Sequence, residues 1–204
     1  MSDVWELVHH ERVALLRDLA VLDKDQWEVQ SLSHEWTVRQ VAAHLVDNAR
    51  TTPMRIVVAM ALARFNFDRQ NAMGVERELG ETAADTLEGL REVAHRRSGP
   101  PAPLDSRLVE EVVHGEDIRR PLGITRSYPV ETVERSLRYQ ARTSVGLGGG
   151  KQRIAGVRLR ATDADIVIGD GPQVHGPALS LLLLTSGRNA ALPDLDGPGL
   201  TALK

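Results

Sequence analysis

RLVEEVVHGEDIRRPLG, residues 107–123, is the stretch that decides the helical fold and carries the candidate site. Glu110 and His114 are four residues apart, just over one helical turn, so a helix here projects both side chains from one side. Pro121 and Gly123 end that helix near residue 119. Its apolar arc lies immediately beside the Glu/His pair and consists of Leu108, Val109, Val112 and Val113. The pattern predicts a packed helix over about 105–119 with a carboxylate and an imidazole at the edge of its buried face.

A second helical segment, EWTVRQVAAHL (residues 35–45), supplies another imidazole. Thr37 is its predicted N-cap, and an apolar stripe follows at helical spacing: Val38, Val41, Ala42, Leu45 and Ala49. His44 falls on the flank of that stripe, so it can meet Glu110 and His114 at the mouth of a helix bundle. Two imidazoles and one carboxylate with an open fourth position form the ligand set of a catalytic zinc site. The alternative is a solvated Glu/His ion pair, worth roughly 0.2–0.5 kcal/mol.

Helical patterns also fill most of the chain before residue 149. Residues 65–81, rich in Asn, Gly and charge, predict a long irregular crossover instead. The other helices are expected at about 4–22, from 38 to a kink or end at Pro53 with continuation through MRIVVAMALARF, at about 82–97 after a Thr82 or Asp85 cap, and at about 129–145.

The pattern changes after a glycine-rich linker, GLGGGK (residues 146–151). Alternation of apolar and polar residues over 157–162 indicates a half-buried strand, and IVIG (166–169) indicates a second one. GPQVHGP (171–177) is expected to open a final helix that runs through Leu184 and ends at Gly187. The sequence therefore predicts a mainly α fold, with an all-α domain over 1–148 and a small α/β domain over 149–204.

Composition excludes several classes of protein. The 204 residues carry a net charge of −3, so neither nucleic acid nor an anionic membrane is an expected partner. Cysteine is absent, which rules out disulfides, cysteine-ligated zinc and a protein thiol nucleophile; any thiol chemistry must therefore use a small-molecule thiol from solution. The start of the chain is unlike a secretory signal, and the longest apolar run, Leu181–Leu184, is far shorter than the roughly 20 residues that span a bilayer. A cytoplasmic location is expected by default.

These segments together resemble a known family. W-T-V-R-x-V-A-x-H-L at residues 36–45, and E-x-x-x-H with H-G-x-D-x-x-x-x-L-G at residues 110–123, are similar to the mycothiol-dependent maleylpyruvate isomerase family. The tail over residues 157–188, which ends in Gly-Arg, is similar to the family's small C-terminal domain. The resemblance implies a DinB-like four-helix bundle followed by a sterol-carrier-protein-like α/β domain. It also implies a divalent metal, usually zinc, held by His44, Glu110 and His114.

The same resemblance implies the chemistry. The thiolate of mycothiol would approach the open metal position, where its pKa falls and it becomes a nucleophile at neutral pH. An arginine near the metal is implied for holding an anionic substrate, and Arg69 is the first candidate, followed by Arg64 and Arg188. The chain departs from the family pattern at His34-Glu35, where Pro-Gly is frequent, and at His175, where Arg or another polar residue is expected; these departures bear on substrate choice more than on metal binding.

Asp117, three residues beyond His114, has two interpretations. It can orient the imidazole of His114 as a second-shell partner of the metal. Equally, it can be a carboxylate near the helix C-terminus that pairs with Arg120 or Arg107. We take the first interpretation as the working one and count Asp117, with Arg69, among the candidate catalytic residues.

Three functional hypotheses follow. The first is a zinc- and mycothiol-dependent isomerase or S-transferase whose partners are a small thiol and a small electrophilic or anionic substrate. The second is a non-enzymatic module that binds metal, thiol or a hydrophobic ligand. The third is a homo-oligomer that keeps the fold without a working site. A homodimer is compatible with each of them.

Overall fold

A computed structural model describes residues 2–203, and helices dominate this part of the chain. The helices are α1 (Val4–Leu19), α2 (Lys24–Trp27), α3 (Val38–Arg50), α4 (Pro53–Leu62), α5 (Phe67–Glu78), α6 (Ala83–Val93), α7 (Asp105–Arg119), α8 (Val130–Arg142) and α9 (Ala178–Thr185). The strands are β1 (Arg158–Ala161), β2 (Val167–Ile168) and β3 (Gln173–Gly176), and 3-10 turns lie at Val145–Leu147, Asn189–Asp194 and Pro198–Ala202. The predicted mainly α fold with a small α/β C-terminal part is confirmed.

Helices α1, α3, α6 and α7 pack on one another as a four-helix bundle. Thr37 starts α3 as predicted, in a capping box with Gln40 that satisfies two backbone N–H groups. Burial of each large aliphatic side chain in the bundle core contributes on the order of 1.5–3 kcal/mol. The core includes Leu15, Leu19, Trp27, Val38, Val41, Ala42, Leu45, Val46, Ala49, Leu90, Val93 and Ile118.

The segment after α3 contains more helix than the sequence indicated. Pro53 does end α3, and it begins α4 as the first helical residue, with the Thr52 side chain accepting from the N–H of Arg55. The expectation of an irregular crossover over 65–81 was wrong, because α5 occupies residues 67–78. Packing overrode local propensity here: Gly74 lets α5 approach α3 so closely that a Cβ at this position would lie 2.8 Å from Asp47 Cγ.

A small mixed sheet forms the C-terminal part, in the order β2-β1-β3. β1 and β2 are antiparallel, whereas β1 and β3 are parallel, with Leu159 opposite both Ile168 and Val174. The expectation that residues 171–177 simply open the last helix was wrong, since Gln173–Gly176 is a strand. Its pairing with β1 is non-local, and the surrounding Gly and Pro gave only a turn signal.

The described chain divides into two compact units, one of Ser2–Arg126 and one from Ser127 onward. The second unit therefore includes α8, which the sequence had grouped with the bundle. α8 packs on α9, where Gln140 Nε2 donates a hydrogen bond of 3.0 Å to Ser186 Oγ. The domain bounds 1–148 and 149–204 stay a prediction. Within residues 2–203, the helices lack the combination of length and hydropathy that crossing a membrane would need.

Candidate metal centre

Helices α3 and α7 bring two imidazoles and one carboxylate together inside the bundle. The ligand atoms of His44, Glu110 and His114 all lie within 4.8 Å of one another. Glu110 Oε2 is 3.5 Å from Nε2 of His44 and 3.5 Å from Nε2 of His114. The two imidazole rings stand edge to face, with centroids 4.8 Å apart. Packing of α3 on α7 through their apolar stripes thus joins residues that are 66 or more positions apart in the chain.

The polar atoms of this cluster lack ordinary partners. Glu110 Oε2 and His44 Nδ1 are buried, and neither has a hydrogen-bond partner among residues 2–203. Glu110 Oε2 interacts with the two imidazole nitrogens at 3.5 Å but forms a regular hydrogen bond with neither of them. A divalent cation bound by the three side chains would satisfy the carboxylate and both Nε2 atoms at once. The residues present therefore fit a metal ion.

Electrostatics favour a charged carboxylate at the centre. Burial by itself would raise the pKa of Glu110, but the imidazoles of His114 and His44 outweigh it and hold that pKa well below its ordinary value. The charge of the Arg107 guanidinium lowers the pKa of Glu110 as well, by a smaller amount. The Glu110 carboxylate is therefore charged at neutral pH.

Asp117 contacts the imidazole of His114. Its Oδ2 lies 2.9 Å from Nδ1 of His114, and the Asp117 side chain is fully buried. Burial by itself would lower the pKa of His114, but the carboxylates of Asp117 and Glu110 have the larger effect. Together they raise this pKa from 6.5 to about 9 in the metal-free protein. This is the geometry of a carboxylate that holds the proton on Nδ1 and directs Nε2 toward a metal. Among the alternatives from the sequence, Arg120 Nε donates to Glu116 at 3.2 Å, and Arg107 donates to Asn48.

A cavity of about 230 Å³ adjoins the cluster. His44 and His114 form part of its wall, and the Trp36 ring lies against His44 with the two centroids 4.9 Å apart. The remaining lining comes from the turn before α3 and from one side of α5: Ser33, His34, Glu35, Asp68, Asn71 and Ala72. The cavity gives a small molecule access to the imidazoles of His44 and His114.

The candidate arginines are not gathered at this cavity. Arg69 is exposed on α5 and is absent from the cavity lining, although its neighbour Asp68 is part of it. Arg64 is exposed in the turn between α4 and α5. Arg188 belongs to the C-terminal unit, where its Nη1 donates to the carbonyl of Ser186 at 2.8 Å. A substrate-holding role for Arg69 stays a prediction that the geometry does not strengthen.

Sequence reasoning missed most of the cavity wall. Trp36 was not among the predicted site residues, yet it is half-buried and its ring lies against His44. Its place in the same motif as His44 was the available signal. Asp68 and Asn71 could not be found, because the segment that carries them was expected to be irregular and only its helical form points them at the site.

Comparisons with known proteins agree with this fold. Residues 8–107 match the family model of the mycothiol maleylpyruvate isomerase N-terminal domain. The crystal structure of a His-to-Ala mutant of the mycothiol-dependent maleylpyruvate isomerase has a TM-score of 0.66 and 14% identity, over 96% of this chain and 91% of that chain. The crystal structure of the mycothiol-dependent maleylpyruvate isomerase has a TM-score of 0.58 and 18% identity over the same shares. No curated protein matches the chain.

A four-helix bundle with a His/Glu/His cluster, followed by a small sheet, is thus the class to which the fold and the site point. Residues 8–107 match the N-terminal domain of the mycothiol maleylpyruvate isomerase family, and the resemblance seen in the sequence is confirmed. The matched domain and both solved structures are those of a thiol-dependent isomerase, which supports an enzyme. The family match ends at residue 107, so it includes His44 and stops short of Glu110 and His114.

Proposed function

We propose that the protein is a divalent-metal-dependent enzyme of the mycothiol-dependent maleylpyruvate isomerase type. The observation that carries the proposal is the convergence of His44, Glu110 and His114 beside a cavity, with Glu110 Oε2 buried and unpartnered. Zinc suits this donor set of two imidazoles and one carboxylate. A small thiol, mycothiol in the family, is the proposed cosubstrate, and the second substrate is a small electrophilic or anionic compound.

The side chains of the site divide the work among them. His44, Glu110 and His114 would hold the metal, and Asp117 keeps the His114 proton on Nδ1 so that the Nε2 lone pair is free. A bound divalent cation lowers the pKa of a thiol placed beside it, so that the thiolate is present at neutral pH. Trp36 covers one face of the His44 ring and limits the access of water to it.

The proposed reaction needs no nucleophile from the protein. The thiolate adds to a cis carbon–carbon double bond, the former double bond rotates, and elimination of the thiolate gives the trans product and returns the thiol. If the adduct is protonated and released instead, the same site acts as an S-transferase. A cavity of about 230 Å³ suits the reacting ends of small substrates, since pockets for drug-sized ligands measure about 300–1,000 Å³.

Elemental analysis combined with turnover tests this proposal. The purified protein should contain about one equivalent of metal per chain, and it should convert a cis substrate such as maleylpyruvate only when mycothiol is supplied. Glu110→Ala should lose both the metal and the turnover, because it removes the ligand between the two imidazoles. Glu116→Gln is the matched control, since Glu116 is also a buried carboxylate of α7 but pairs with Arg120.

Two results would overturn the proposal. Metal content that is unchanged in Glu110→Ala would mean that the three side chains do not hold the ion. A wild-type protein with bound metal that turns over no cis electrophile in the presence of mycothiol would favour the non-enzymatic binding module.

A further inference from the structure

Helix α4 carries an apolar surface that no other residue of the described chain covers. Met54, Val57, Val58 and Leu62 follow one another at helical spacing on one side of the helix. Phe65 in the next turn and Phe67 at the start of α5 continue it. We call these six side chains the α4 patch; their exposed fractions are 74% for Met54, 63% for Val57, 52% for Val58, 62% for Leu62, 78% for Phe65 and 55% for Phe67.

The opposite side of α4 faces the protein. Ile56, Ala59 and Met60 are half-buried, and α4 contacts α5. Arg55, the one charged residue in the sequence of α4, turns back to the bundle, where its guanidinium lies 3.7 Å from Glu78 Oε1 and donates to the carbonyl of Arg50 at 3.0 Å. The α4 patch is therefore the outward face of a docked helix and carries no charge of its own.

The turn after α4, which carries Phe65 of the α4 patch, has an unfavourable backbone conformation. Arg64 and Phe65 have φ values of 56° and 59°, in the left-handed region that L side chains avoid. The result is that the Phe65 ring stands in solvent instead of folding onto the bundle. Strain of this kind at residues other than glycine tends to lie where a contact uses the conformation.

The size of the α4 patch fits a protein interface. With aromatic side chains of about 150–250 Å² each, the six side chains expose roughly 700 Å² of apolar surface. The largest apolar patch on a typical monomer is about 300–600 Å², and each partner in a stable complex buries about 800 Å². The apolar area of the patch alone is thus close to what a standard interface needs from one side.

We propose that the α4 patch is the interface of a two-fold homodimer of this chain. A second copy brings the same uncharged stripe, so α4 can pack against its symmetry mate without any complementary charge. A membrane surface is the less suitable occupant, because interfacial helices combine an apolar face with a polar face rich in Lys and Arg. The dimer would also brace the start of α5, whose Asp68 and Asn71 line the cavity.

Sedimentation of matched variants tests the interface. The wild-type protein should be a dimer at micromolar concentration, and Val57→Glu should convert it to a monomer by placing a charge in the apolar stripe. Val21→Glu is the control: Val21 is 81% exposed but lies outside the α4 patch, so this variant should remain a dimer. Because both valines are exposed, the two variants should keep the wild-type circular dichroism and metal content.

Cross-linking gives a second readout that does not depend on dimer affinity alone. The chain has no cysteine, so a single Val58→Cys should form a covalent dimer with a short bismaleimide, whereas Val21→Cys should give only background. A monomeric wild-type protein, a dimer that survives Val57→Glu, or equal cross-linking of the two cysteine variants would each overturn the proposal. Binding of a monomeric wild type to phospholipid vesicles would do so in favour of a membrane.

Discussion

The hydrogen bond between Asp117 and His114 leads to the sharpest prediction about the metal centre. Asp117→Asn keeps the size of the side chain but removes the charge that lies 2.9 Å from Nδ1 of His114. Asp117 contributes most of what raises the pKa of His114 against the effect of burial, so that pKa should fall in the metal-free variant. Loss of an outer-shell carboxylate lowers metal affinity about 10–100-fold, which corresponds to about 1.4–2.8 kcal/mol.

Two measurements check this prediction. Chelator competition gives the metal affinity, and proton NMR of the His114 ring against pH gives its pKa in the metal-free protein. Glu116→Gln is the control, because it removes a buried carboxylate from the neighbouring position without touching His114. Its metal affinity should stay within about twofold of wild type. An Asp117→Asn protein with both the affinity and the His114 pKa of wild type would refute the assigned role of Asp117.

Two further predictions concern stability. Gly74→Ala should destabilise the protein by about 1–3 kcal/mol through overpacking, because the new Cβ would lie 2.8 Å from Asp47 Cγ. Gly89→Ala is the control and should be neutral or stabilising, since its Cβ would meet α3 at an ordinary 3.5 Å. Equal urea midpoints for the two variants would contradict this account. In excess chelator, the stability that His114 contributes should be fully present below about pH 6.5, its unfolded pKa, and should be lost as the pH rises through its folded pKa of about 9. His114→Asn should not show this loss of stability between about pH 6.5 and 9. A urea midpoint of the wild type that rises over the same pH interval would contradict the predicted contribution of His114.

Much of the bundle and the ligand set could be predicted because they rest on local patterns. The start of α3 at its Thr37 capping box and the extent of α7 follow from capping and helical spacing, and both agree with the structure. The four-residue spacing of Glu110 and His114 is sufficient by itself to place both side chains on one side of α7. The assignment of His44 to the same cluster rested on its position beside the apolar stripe of α3 and on the family resemblance. These inferences use only the periodicity of a helix.

What escaped the sequence depends on contacts between distant segments. Helix α5 exists because Gly74 permits a close approach to α3, and β3 exists because it pairs with β1; neither cause is visible within its own segment. Packing of α3 on α7 produces the geometry of the candidate site. It sets the distances of 3.5 Å from Glu110 Oε2 to two imidazoles, the buried position of Asp117 behind His114, and the cavity beside Trp36. The sequence alone determined which side chains share a helix face. Tertiary packing decided which faces meet, because the periodicity of a helix depends on its own residues, whereas its packing partners are distant in the sequence.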